Sequence, residues 1–367
     1  MKSIWILAII LAAAVVAAGA AVIILSADDG KDRDGSVTVI DFLGREVTIT
    51  STERIVSVSA VPTSILCGLG LSSSIVAVSS DADVYKEDPY IFGLTQDDFP
   101  KAINDGISSG RITQLGGMYH MSAETMAQVS SDLVICDNYG TNQEIRDAMD
   151  RLGMTYVVVS SSASLKEIEN SIAILGKTVG KESAAERMIS EMESVIGKIS
   201  DWCGSIVANE LNGEKYNVAM MMTGVYAIGP NYLGGDILKS LHVNNVFESV
   251  DRYAAVTKES IASANPDVLM YQNLGMGDGV TNAKQYIDSL YSDPVLGGIS
   301  AAENGRIFAT SEGAKNSTSF ANHGIVRAYA IYAMFVYKDF LTFEISDVFN
   351  SDNYIGYISQ FWEMINS

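Results

Sequence analysis

Residues Ser122 to Cys136 read Ser-Ala-Glu-Thr-Met-Ala-Gln-Val-Ser-Ser-Asp-Leu-Val-Ile-Cys, and residues Thr257 to Tyr271 read Thr-Lys-Glu-Ser-Ile-Ala-Ser-Ala-Asn-Pro-Asp-Val-Leu-Met-Tyr. These are one pattern written twice. Each copy opens with a hydroxyl residue suited to capping a helix, and a Glu follows two positions later. A short apolar-dotted helix, an Asp and a buried-strand run complete it. Glu124 and Asp132 are eight residues apart, as are Glu259 and Asp267. A repeat this far apart predicts two similar α/β lobes, each presenting one Glu at the same place. Such a layout suits a two-lobed binder that something else grips at both lobes.

Composition agrees. The chain has 367 residues, enough for two domains, and 48% of them are hydrophobic, ample for two cores. The formal charge is −20, and no basic patch with interleaved aromatics occurs. That excludes a nucleic-acid binder, which needs clustered Lys and Arg. Cys67, Cys136 and Cys203 are widely spaced and odd in number, so at least one is free unless it pairs between chains. Cys67 and Cys136 sit in apolar runs and read as small core residues. There is no Cys-x-x-Cys and no Cys/His metal signature.

After Lys2, the 22 residues Ile4 to Leu25 carry no charge. At about 1.5 Å per residue such a run spans a bilayer core of roughly 30 Å. The positive-inside rule keeps Lys2 inside and predicts the remainder outside the cytoplasmic membrane. A cleaved signal peptide is the rival reading, because Ala18-Gly19-Ala20 offers small residues to a peptidase and cleavage would release the protein. Val22-Ile23-Ile24-Leu25 continues the apolar run past that site, which favours an uncleaved anchor. No Cys near this segment is available for lipid modification.

The expected organisation is a signal-anchor or signal peptide over 1–26, a polar linker over 27–37, an N-terminal α/β lobe over 38–162, an interdomain helix over 163–203, and a C-terminal α/β lobe with a closing helix over 204–367. Val37 to Thr50 reads as a hairpin turning at Gly44. Alternating strands and helices then imply mainly parallel, Rossmann-like sheets with helices on both faces. The stretch Leu165 to Ile199 reads as one long helix. Its Gly176-Lys177-Thr178 is mid-helix and lacks the first Gly of a phosphate loop, which would fall at Ser171. Gly275-Met276-Gly277-Asp278-Gly279 lacks dinucleotide spacing and reads as a cleft loop.

Asp41-Phe42-Leu43-Gly44-Arg45-Glu46-Val47, Arg54-Ile55-Val56-Ser57 and Leu69-Gly70 resemble the opening of substrate-binding proteins of ABC importers for iron complexes, haem and corrinoids (cobalamin-type ligands). Asn265-Pro266-Asp267-Val268 and Asn304-Gly305-Arg306-Ile307-Phe308 resemble two later motifs of that family. Order and spacing together carry the resemblance, over roughly residues 38–365. It implies two α/β lobes joined by one rigid helix. Many family members carry a Glu in the first helix where this chain has Ser64. The resemblance also implies that Glu124 and Glu259 form salt bridges to Arg residues of a membrane permease. One exposed carboxylate per lobe fits that role, since Arg grips carboxylates bidentately. A Glu early in a helix also simply favours the helix dipole.

Ligand contacts are expected at strand ends facing the cleft, where open α/β sheets bind ligands. Met118, Tyr119 and His120 precede Glu124. Tyr119 and His120 suit iron or a macrocycle, or the loop's aromatics only pack. Tyr139 follows the next strand, and Tyr226 and Tyr232 face the cleft from the second lobe. His323 stands at the junction before the last long helix, as a cleft residue or as a structural helix-start His. The metal reading is limited to Tyr119, His120 and His323 acting through a bound chelate, because three His are too few for a dedicated zinc or manganese site. Asn316-Ser317-Thr318 is a glycosylation sequon. No catalytic constellation occurs, so the expectation is a binder and not an enzyme, with no intrinsic cofactor. The reading is an extracytoplasmic solute-binding protein that captures an iron chelate (siderophore), haem or corrinoid and delivers it to a permease dimer with a cytoplasmic ATPase. The alternatives are a chelatase or nitrogenase-like metallocofactor enzyme and a surface haem receptor without a transporter.

Overall fold

The computed structural model describes residues 35–80, 101–117, 121–160, 164–222, 224, 226–275, 279–311, 323–350 and 352–367. The charge-free N-terminal segment and the sequon lie outside them, as does the centre of the Gly275–Gly279 loop. Among the described residues no helix is long and apolar enough to cross a membrane.

Strands β1 (Val37–Ile40) and β2 (Glu46–Ile49) form the expected hairpin, with Val37 opposite Ile49. Gly44 makes the turn at φ +76°, a conformation that costs a residue without a Cβ little. The Asp41 carboxylate accepts the N–H groups of Leu43 and Arg45 at 3.0 Å each and pairs with the Arg45 guanidinium at 2.6 Å. Phe42 N–H then donates to the Val158 carbonyl at 2.9 Å, pinning the hairpin tip to the first lobe.

The first lobe's sheet contains β3 (Ile55–Ser57), β4 (Ile75–Ser79), β5 (Thr113–Leu115), β6 (Leu133–Asp137) and β7 (Tyr156–Val159). All pairings are parallel, in the order β5-β4-β3-β6-β7. Every residue of β3, β6 and β7 is buried, as strands covered on both faces must be. The connecting helices are α1 (Ala60–Gly68), α2 (Lys101–Ser108), α3 (Ala123–Ala127) and α4 (Gln143–Arg151). The chain starts at the sheet's centre, winds out to β5, and returns to β6. The switch point therefore lies between the carboxyl ends of β3 and β6. Ser64 is buried in α1 and donates to the Val61 carbonyl of its own helix at 3.0 Å, so it serves a local hydrogen bond.

The single helix expected over Leu165 to Ile199 is two helices, α5 (Leu165–Thr178) and α6 (Glu182–Asn209). Gly180, at φ +65°, breaks the run, and Lys181 N–H returns to the Gly176 carbonyl at 2.7 Å. Gly176-Lys177-Thr178 thus closes a helix rather than lying in the middle of one. Gly176 meets Ala185 so closely that an added Cβ would stand 2.4 Å from the Ala185 Cβ. The apolar periodicity ran straight through this corner because both helices bury the same side. The connector itself is α6, 28 residues and about 42 Å long.

The second lobe contains β8 (Asn217–Met222), β9 (Tyr226–Ile228), α7 (Leu233–Ser240), β10 (Asn244–Asn245), β11 (Tyr253–Ala255), α8 (Lys258–Ala264), β12 (Val268–Leu274), α9 (Ala283–Tyr291), α10 (Ser300–Glu303), β13 (Ile307–Ser311), α11 (Val326–Val336), β14 (Val348–Phe349) and α12 (Tyr354–Ile365). The sheet order is β11-β9-β8-β12-β13-β14, with β10 beside β8. From β8 to β14 it is parallel, while β9 runs antiparallel to both of its neighbours, β8 and β11. All 11 residues of α11 are buried. One continuous apolar cluster runs from Ile55 and Val157 of the first lobe, through Met192 and Ile199 of α6, to Tyr332 and Phe361 of the second.

The written-twice pattern is also duplicated in its hydrogen bonds. Ser122 caps α3 by accepting Thr125 N–H, and Thr257 caps α8 by accepting Ser260 N–H, both at 3.2 Å. Each Asp then bonds both ways with the residue at the start of its lobe's first strand. Asp132 accepts Arg54 N–H at 3.0 Å and donates its own N–H to the Arg54 carbonyl at 2.9 Å. Asp267 does the same with Asn217, at 2.9 and 2.7 Å.

Candidate interlobe binding site

Each Glu of the repeat occupies the first turn of its helix and is exposed. Its own backbone N–H, then the Ser122 hydroxyl, hold the Glu124 carboxyl below the usual range. The Glu259 N–H and the Thr257 hydroxyl do the same for Glu259. The two lobes thus present matching carboxylates in matching surroundings.

The tyrosines gather. Tyr253, on β11, meets Tyr232 edge-on at 5.6 Å and Tyr226 at 6.1 Å between ring centroids. The Arg252 guanidinium lies 6.0 Å from the Tyr232 ring, and the Tyr232 hydroxyl reaches the Met222 sulfur at 3.9 Å. Burial, then Tyr253, pushes the Tyr232 phenol above its ordinary pKa. Tyr139, of the first lobe, follows β6, and Tyr226 pairs with Met222 at the end of β8, so a tyrosine stands at the carboxyl end of a central strand in each lobe. Tyr139, Tyr226 and Tyr253 stay 67%, 40% and 48% exposed, which leaves their ring faces open to a ligand.

Beneath these rings the strand ends are polar. Gln272 and Asn273 are buried at the end of β12, where the pairing with β13 is irregular and Asn273 adopts φ +64°. Such bulges re-aim side chains at the edges of sites. On the first lobe, Asp137 Oδ1 accepts the N–H groups of Tyr139 at 2.8 Å and Gly140 at 2.7 Å, which shapes the turn that presents Tyr139.

Met118, Tyr119 and His120 lie outside the described residues. His323 does not open onto the tyrosines. It is buried at the lobe junction, where an added Cβ on Gly68 of α1 would stand 3.3 Å from its ring and 2.5 Å from Met188 of α6. Burial, then Arg327, lowers its pKa to about 4, so the imidazole is neutral. Among the described residues no group of three or more His, Cys, Asp or Glu is arranged to hold a metal ion. Sequence reasoning missed Tyr253, Arg252, Gln272, Asn273 and Asp137. The signal for the last three was their place just past apolar strand runs. A hollow of about 380 Å³ beside Asn282, Lys284, Ser311 and Asn350 is lined by none of the tyrosines.

Two α/β lobes on one connecting helix, with tyrosines at the strand ends of each, define a two-lobed solute-binding protein. The sequence matches the family described as periplasmic binding protein over residues 55–313, and the chain belongs to that family. The family is one of binding proteins, not enzymes. A curated relative, an uncharacterized ABC transporter substrate-binding lipoprotein of Bacillus subtilis, is 25% identical over 238 residues, which is 64% of this chain and 68% of that protein. A possible iron-binding periplasmic solute-binding protein from Staphylococcus epidermidis superposes with a TM-score of 0.62 at 23% identity, over 78% of this chain and 98% of that one. The periplasmic haem-binding protein RhuT from Roseiflexus sp. RS-1 gives 0.60 at 19% identity, over 78% and 99%.

Proposed function

We propose that the protein captures an iron chelate, haem or a corrinoid between its lobes, outside the cytoplasmic membrane, and delivers it to an ABC permease whose ATPase drives uptake. The N-terminal segment holds it to the membrane. The observation that carries this reading is the second lobe's cluster of Tyr226, Tyr232 and Tyr253, with Tyr139 exposed at the corresponding strand end of the first lobe. Flat, partly exposed rings with an Arg at the rim suit a planar or π-rich anionic chelate. The names of the similar proteins, which speak of iron, haem and ABC transport, support the same class of cargo. Glu124 and Glu259 serve the permease, because paired exposed carboxylates attract Arg and read the separation of the lobes.

The test is to incubate purified protein with a ferric siderophore, haemin or cobalamin and record absorption and native mass spectra. One of the three binds. Tyr232→Ala and Tyr253→Ala each weaken it about 2- to 10-fold, the worth of an aromatic pair. Failure to bind any of the three sinks the ligand class. The double variant Glu124→Ala/Glu259→Ala keeps the ligand affinity and abolishes uptake by cells; normal uptake sinks the docking role.

A further inference from the structure

Two buried polar atoms stand at the carboxyl ends of adjacent strands of the first lobe without hydrogen-bond partners among the described residues: Ser59 Oγ, just past β3, and Asp137 Oδ2, on the last residue of β6. Ser57 lies opposite Ile135, and Val58 N–H donates to the Ile135 carbonyl at 2.9 Å. Ser59 is extended, at φ −147°. The register therefore continues and sets Ser59 beside Asp137, at the switch point where such sheets receive ligands.

Asp137 is fully buried, yet its two oxygens differ. Oδ1 is taken by the turn that presents Tyr139. Oδ2 has no partner among the described residues, and a buried carboxylate oxygen without a donor is costly. Two guanidinia act on the neighbouring Cys136, but both are committed elsewhere. Arg45 pairs with Asp41, and Arg146 bonds the Thr141 carbonyl and Gln143.

We propose that Asp137 Oδ2 receives a protonated amine of the ligand, with Ser59 beside it, and so makes the cleft prefer chelates that carry one. This rests on the chelate-binding reading above and names a specificity-determining residue within it.

The test compares a ferric tris-hydroxamate bearing a free ammonium arm with its N-acetylated form, with haemin and cobalamin as further probes. Wild type binds the ammonium form about 10- to 100-fold more tightly, the worth of a hydrogen bond between charged groups. Asp137→Asn keeps an oxygen for the Tyr139 and Gly140 N–H groups but puts an amide where Oδ2 stands. It loses the preference, so that its affinities for the two hydroxamates become equal. Should Asp137→Asn not fold, Asp137→Ser removes Oδ2 and leaves a hydroxyl to accept a turn N–H. Equal wild-type affinity for the two hydroxamates, or a preference that survives both substitutions, means that water satisfies the oxygen and overturns the inference alone. Binding of haemin or cobalamin but neither hydroxamate also overturns it and leaves the chelate-binding function standing. Binding of none of the four probes removes both.

Discussion

Gly229→Ala should dismantle the tyrosine wall from behind. Gly229 follows β9, and its N–H donates to the Arg252 carbonyl at 2.8 Å. A Cβ there would stand 1.7 Å from the Val250 carbonyl oxygen and 2.6 Å from its carbon. A carbon–oxygen contact normally needs about 3.3 Å or more, so the two segments must part by roughly 1.6 Å. The obstacle is backbone, and no rotamer relieves it. The β9–β11 ladder has three residue pairs and little to lose before it opens. Overpacking of this kind costs about 3 kcal/mol, and in a chain of this length the melting temperature should fall by about 4 °C. Arg252 and Tyr253 move with the segment, so both Tyr253 ring contacts are lost and ligand affinity falls roughly tenfold. The assay is a thermal melt with near-ultraviolet circular dichroism, which reports tyrosine packing, followed by ligand titration. Gly197→Ala is the control. Its added Cβ meets nothing within 4 Å inside α6, and it should stabilise by up to about 1 kcal/mol. A Gly229→Ala protein that melts within about 1 °C of wild type, roughly the effect of less than 1 kcal/mol, and keeps its near-ultraviolet spectrum refutes the close-approach argument.

Met192 is fully buried in α6, so Met192→Ala should cost about 2–5 kcal/mol, and both lobes should still unfold in one transition by fluorescence and circular dichroism. Two separated transitions would contradict a shared core. His323, neutral in the fold with a pKa near 4 against about 6.5 unfolded, supports stability fully above pH 6.5 and loses it as pH falls towards 4. Denaturant titrations at pH 7.5 and 4.5 should show a pH-dependent loss, roughly 3 kcal/mol of it absent in His323→Gln; equal losses refute the assignment. All three cysteines are buried, and burial pushes the Cys136 thiol up to about 12. A disulfide-exchange reagent at pH 8 should leave the native protein unmodified and titrate all three thiols in denaturant, whereas rapid native labelling would show the burial to be wrong.

The repeat made the fold legible because its signals are local. A capping hydroxyl, a Glu in the first turn and an Asp before an apolar run all act within fifteen residues, and each is found making the bonds it promises. The hairpin at Gly44 and the strands Tyr156–Val159 and Asn217–Met222 were legible for the same reason. The corner at Gly180 was hidden because α5 and α6 present their apolar sides to one core, so periodicity runs on without a fault. β9 and β11 are three residues each, too short to carry a pattern, and they exist through pairing with β8 and with each other. That pairing puts Tyr253 and Arg252 beside Tyr232, a neighbourhood twenty residues apart in sequence. Tyr139, Tyr226 and Tyr232 were legible as candidates by their place after strands, but the meeting of Tyr226 and Tyr232 with Tyr253 was not. Two readings of His323, cleft residue and structural helix-start His, stood side by side in the sequence because its burial depends on Gly68 and Met188, more than a hundred residues away.

The cluster that joins the lobes also orders events in time. Ile55 and Val157 are made early on the ribosome, yet the same cluster contains Tyr332 and Phe361. The early half of the chain must wait with part of its apolar surface uncovered until α11 and α12 are synthesised. At about 5–20 residues per second, the interval from β7 to α12 lasts roughly 10–40 s. A nascent chain in that interval is a natural client for a holding chaperone. A protein cut after α6 should aggregate rather than yield a free first lobe.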